Sequence, residues 1–171
     1  MNKKFLSVAA IGLSLMAASC VFSCSKDDGG SEDPLEQIED SSFSFVEPYH
    51  ATACDEATIE NYMKSVKGYH LDSRDMVMES TGTFQLIYVN NGTGAMLYMF
   101  GQNKLMSSGI YEDVKHYATV QKFLDGKYTF ANEAQSVRSY YTSDKKQIIQ
   151  LQKDSGKQGY LSVMYTIIKP D

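Results

Sequence analysis

Tryptophan is absent from this sequence, and histidine, cysteine and proline each occur only three times. Each scarcity removes a class of chemistry. His50, His70 and His116 lie far apart, and no His-x-x-x-His or Cys-x-x-Cys occurs after Cys24, so zinc-ligand spacing is missing. Each histidine reads as a surface or capping residue, and neither metal nor cofactor is expected. Asp72 and Asp75 flank Arg74 without the glycine and further acids of a calcium loop. No Gly-x-Ser-x-Gly is present to lift a serine nucleophile out of a sheet. Gly92-x-Gly94 is too short to cradle a phosphate. An excess of basic charge is also lacking, since the formal net charge is −5, so no field exists to hold nucleic acid.

Long apolar runs are scarce as well. Phe5 to Ala18 is almost free of polar side chains, yet it falls short of the ~20 residues that span a bilayer. Lys3 and Lys4 precede it and small residues come after it, which is the pattern of a secretory signal peptide. Two cysteines compete for the end of that signal. Ala17-Ala18-Ser19 precede Cys20, and Val21-Phe22-Ser23 precede Cys24. The next four residues favour Cys24. Ser25-Lys26-Asp27-Asp28 resembles the lipoprotein export signal of the Bacteroidetes, a Lys and two acids just after the lipidated cysteine. The resemblance implies residues 1–23 as a signal peptide and a palmitate-bearing anchor on Cys24, with Cys20 as the alternative. It also implies an outer-membrane location facing the cell exterior. As a plain solvated charge run, the same residues would leave the protein facing the periplasm.

Residues 24–42 read as a flexible acidic tether. From Lys26 to Asp40 there are seven acids against one lysine, together with Gly29, Gly30 and Pro34. Such a stretch has little to bury. Its reach is ~25 Å as a flexible chain, with a limit of ~60 Å fully extended. With the tether at −6 and Lys3 and Lys4 at +2, residues 41–171 sit near −1. The acidity belongs to the tether rather than to the folded part.

Residues 43–171 have the size of one domain. Twelve Tyr and eight Phe supply the aromatic content of the chain. With Cys20 and Cys24 assigned to the signal and anchor, Cys54 has no partner for an internal disulfide, so packing must hold the domain. Phe43 to Val46 reads as extended, closed by Pro48. Asp55 suits an N-cap. Ile59, Tyr62, Met63 and Val66 then repeat at helical spacing, with Gly68 ending the helix and Cys54 and Ile59 at hydrophobic-staple positions. Met76–Glu79, Phe84–Val89, Ala95–Phe100 and Lys104–Tyr111 read as strands, with Asn90–Gly94 as a hairpin turn. Asp113 can cap a second helix carrying Val114, Tyr117, Val120 and Leu124, stopped at Gly126. Further strands are expected at Val137–Thr142, Gln147–Gln152 and Tyr160–Ile168.

Ala57 to Met63 matches Ala118 to Leu124 in residue type at nearly every position. This points to an internal duplication, with one repeat over about 43–112 and the next over about 113–171. Helices that precede runs of hairpins indicate the α+β class. Two helix-plus-antiparallel-meander repeats would form one antiparallel sheet of six to eight strands, with both helices on one face. The arrangement resembles the tandem α/β repeats of the β-lactamase inhibitor protein fold and of small outer-membrane assembly lipoproteins. It is also similar to Bacteroidetes lipoproteins in which a Pro-Tyr segment, here Pro48-Tyr49, precedes the first helix. Thr52-Ala53 stands where those proteins carry Trp-Gly.

A sheet covered by helices on one side presents its other side to solvent. Leu161, Val163, Tyr165 and Ile167 read as helix-facing, and Tyr160, Ser162, Met164 and Thr166 as their opposites. Arg138, Tyr140, Ile148, Gln150 and Gln152 are placed on that open side. In the first repeat both parities are apolar, so tyrosines there are expected on the open side too. The candidate binding set is therefore Tyr88, Tyr98, Tyr140, Gln150, Gln152 and Met164. The alternative is that these residues pack under the N-terminal segment or a loop. Cys54, four residues from His50, is the one nucleophile-and-base hint, but Asp55 and Glu56 oppose a thiolate. Paired carboxylates of a glycosidase are set in space rather than in sequence. The expectation is a monomeric, non-catalytic module for a protein or glycan ligand, attached to the membrane through its lipid. A periplasm-facing structural accessory and a small hydrolase are the alternatives.

Overall fold

A computed structural model describes residues 43–92, 94–154 and 159–168. The elements run in the order α1 (Glu56–Ser65), β1 (Tyr69–Met78), β2 (Thr83–Asn90), β3 (Ala95–Gly101), β4 (Lys104–Asp113), α2 (Tyr117–Lys127), β5 (Thr129–Ala134), β6 (Val137–Tyr141), β7 (Gln147–Lys153) and β8 (Tyr160–Ile167). The strands form one eight-stranded sheet in the order β1-β2-β3-β4-β8-β7-β6-β5. Every neighbouring pair is antiparallel. The class is thus α+β with two helices, as the sequence implies.

Local chemistry sets the element ends. The Asp55 carboxylate accepts from the Thr58 amide at 2.9 Å and caps α1. Past the helix, Gly68 takes φ 86°, a left-handed conformation that glycine adopts without strain. Between β2 and β3 the Asn90 side chain accepts from the Gly92 and Gly94 amides at 2.9 and 3.0 Å. Glycine is needed at position 94, where a Cβ would lie 2.5–2.7 Å from Asn90, Glu112 and Tyr69 side-chain atoms.

The second helix starts later than expected. Asp113 caps a 3-10 turn over Val114–His116 by accepting from the Lys115 amide at 3.0 Å, and α2 begins only at Tyr117. It also runs through Gly126 to Lys127. Two strands exceed or escape the sequence reading. β1 extends over ten residues, and β5 is new. Both are sheet edges and almost wholly exposed, so neither needs the apolar alternation that reveals a strand. The turn between β5 and β6 places Gln135 and Ser136 at positive φ, without the glycine or asparagine that marks such turns.

One cluster forms the core. From the sheet it takes Leu86, Tyr98, Ile110, Tyr140, Ile149, Leu151, Val163 and Tyr165, among others. From the helices it takes Ile59, Met63, Val120 and Leu124. Phe43, Phe45 and Tyr49, from the extended segment before α1, pack against the same cluster.

Candidate functional site

The strand registers sort the sheet into two faces, because successive side chains point to opposite sides. The face away from the core cluster carries three rows that run across the strands. One row is Val89, Ala95, Tyr111, Ser162, Gln152, Val137 and Ala134. The central row is Ile87, Leu97, Gly109, Met164, Gln150, Ser139 and Asn132. The third is Gln85, Met99, Ser107, Thr166, Ile148, Tyr141 and Thr129. Not one of these residues, from β2 across to β5, is Asp, Glu, Lys or Arg, although charged residues make up 22% of the chain. Asp75, which pairs with Gln85 from the edge strand β1, is the first charge met along the third row. The face is two-toned. β2 and β3 are largely aliphatic, whereas β5, β6 and β7 carry mostly amides and hydroxyls. At its centre Gly109 lies beneath Met164, whose sulfur would sit 2.3 Å from a Cβ at position 109.

The candidate binding set divides between the faces. Gln150 and Met164 are cross-strand partners on the open face, and Gln152 lies one row away. Tyr88, Tyr98 and Tyr140 do not join them. They belong to the core at 6%, 0% and 0% exposure. Arg138, expected beside Gln150, shares the parity of Tyr140 and leaves the open face with it. The hydroxyls of Tyr98 and Tyr140 find partners, which lets their rings enter a core, and Tyr88 meets the Tyr98 ring edge-on at 6.0 Å. Tyr140 donates to Asp125 at 2.9 Å and accepts from Arg138 at 3.1 Å. Tyr98 accepts from the Tyr49 amide at 3.3 Å, so it lies under the N-terminal segment rather than on the open side. Cys20, Cys24 and the signal Ser25 to Asp28 lie outside the described residues.

A second constellation was not visible in the sequence. The Glu47 carboxylate, from the extended segment, is surrounded by donors from the end of α2 and from β8. Tyr128 and Lys127 donate to its two oxygens, and Tyr165 donates at 3.0 Å. His50 Nε2 lies 3.5 Å from the same carboxylate. Burial alone would raise the Glu47 pKa, but hydrogen bonds from His50, Lys127 and Tyr128 prevail and hold it at about 2. The tyrosines respond in the opposite sense. Burial and the Glu47 charge push Tyr128 and Tyr165 up. His50 stacks on Tyr165 with ring centroids 4.5 Å apart. The Gln147 amide donates to the His50 carbonyl, which turns the Gln147 oxygen toward His50 Nδ1 at 2.8 Å, so Nδ1 carries hydrogen.

This constellation clasps the segment to the domain, and it borders an open cleft of about 650 Å³ that includes Phe45, Tyr49, Tyr62 and Phe123. As chemistry it is saturated, because both oxygens of Glu47 already accept. Cys54 offers no nucleophile either. Burial and the neighbouring Asp55 push its thiol up to about 11. Among the described residues no three His, Cys, Asp or Glu side chains converge to hold a metal, and no helix is long and apolar enough to cross a membrane.

No protein-family description, curated protein sequence or solved structure matches the chain. The functional reading therefore rests on the residues themselves.

Proposed function

We propose that this protein is an outer-membrane lipoprotein, anchored through Cys24 and facing the cell exterior, that acts without catalysis by binding a partner on its open sheet face. The observation that carries the reading is the uncharged face. Interface centres are depleted in charge and enriched in Tyr and Met, and a sheet face of this breadth that only met water would have no reason to exclude Lys and Glu. The contact residues are Gln150, Gln152 and Met164 with Gly109, Leu97 and Ile148 around them. The lack of Trp and the aliphatic half of the face favour a protein partner over a glycan. An internal duplication with both helices on the core side is part of the same proposal. In its support, Ile59 and Met63 of α1 occupy the same relative positions as Val120 and Leu124 of α2, and all four are buried.

The test has two arms. Protease treatment of intact cells should remove the domain, and survival of the domain would place it inside. A partner captured by full-length protein should be lost from Met164→Lys and from Gln150→Glu while circular dichroism stays unchanged. Retention of the partner by both variants would remove the face from the proposal.

A further inference from the structure

The segment from Phe43 to His50 is held by side chains rather than by a strand ladder. Among the described residues its backbone makes no backbone–backbone hydrogen bond. Phe43 stacks on His116 at 3.7 Å and Phe45 meets Phe123 edge-on at 5.1 Å. Glu47 is bolted by Lys127, Tyr128 and Tyr165, and the Tyr62 hydroxyl donates to the Glu47 carbonyl at 2.5 Å. Beyond His50 a short link leads to Cys54, whose carbonyl is fixed by the Leu105 amide at 3.0 Å. Within that link Ala53 is forced to φ 61°, left-handed for a residue with a Cβ. A strap fixed by plug-in contacts, joined by a short strained hinge, is the arrangement that permits exchange between identical chains.

We propose that the strap is exchangeable: swung out at Ala53, the Phe43–His50 segment of one chain seats in the groove of a second copy, and the second copy returns its own. Each contact broken within a chain is replaced by the same contact between chains, including the Glu47–Lys127 ion pair. The net cost is then set by protein concentration and by the relief of the hinge, and the rate is set by release of the Glu47 clasp. The groups that face Glu47 are His50 from the strap, Lys127 and Tyr128 at the end of α2, and Tyr165 from β8. The groups outside the strap are supplied equally well by either copy.

Unlabelled and nitrogen-15-labelled full-length protein are mixed, held at neutral pH or in mild acid, and treated with a zero-length carbodiimide. This reagent couples Glu47 to Lys127 where they touch. In a closed chain the coupled peptides carry a single label. Exchange yields covalent dimers whose Glu47–Lys127 peptides mix labels, up to about half of them at completion, in a fraction that rises with concentration. Single-label coupling alone at every concentration overturns the proposal. So does a dimer coupled only through other residues, or a failure of Glu47 to couple to Lys127 at all.

Discussion

The Glu47 carboxylate accepts from Lys127, Tyr128 and Tyr165. Its folded pKa of about 2 lies below the ordinary value of 4.5. The carboxylate thus stabilises the fold fully above pH 4.5 and loses that contribution as pH falls toward 2. The shift corresponds to about 3 kcal/mol. Glu47→Gln should lower the urea-unfolding free energy at neutral pH by roughly 2–3 kcal/mol. The gap between variant and wild type should close in acid, and a pH-independent gap would exclude the clasp. Cys54 makes the opposite kind of prediction. With its thiol buried and its pKa raised to about 11, iodoacetamide should leave it unmodified in the native domain at mildly alkaline pH and label it promptly in denaturant. Fast native labelling would mark a reactive site. The quiet Cys54 was legible in the sequence, from its staple position and the acid beside it, whereas the Glu47 clasp was not. Glu47 acquires its partners from positions some eighty and more residues away, a distance at which no spacing rule operates.

At the scale of elements, what was legible depended on burial. The Asp55 cap, the Asn90 turn and the alternating parity of β8 arise from residues within a few positions of one another, and all are present in the fold. The edge strands β1 and β5 were obscured because an exposed edge imposes no alternation. The tyrosines of β2 and β3 were misplaced because both strands are apolar on both parities, so hydropathy could not choose the core face. The side-chain registers chose it, and Tyr88 and Tyr98 went inward. The two caps differ in a measurable way. Asp55→Ala should destabilise the domain by about 1 kcal/mol, the usual worth of an N-cap. Asp113→Ala should cost less, because Asp113 caps a single 3-10 turn and α2 starts after it without a side-chain cap. Equal losses in thermal unfolding would contradict this ranking.

For the whole molecule the governing feature is the strand order. β4 and β8 meet at the centre of the sheet, and the edges are β1 and β5. Sensitivity to truncation should fall from centre to edge. Val163→Ala, in the fully buried middle of β8, should cost about 1–3 kcal/mol. Phe130→Ala, on β5 at 49% exposure, should cost under ~1 kcal/mol despite the larger group removed. Calorimetry of the two variants decides it.

Because Tyr160–Ile167 is both the final described strand and a central one, β1–β4 and β5–β7 have no direct pairing without it. A chain delivered amino end first would hold two unjoined ribbons with open inner margins until those residues arrive. Assembly must then be nearly all-or-none and late, with distant pairings formed last and a correspondingly slow final step.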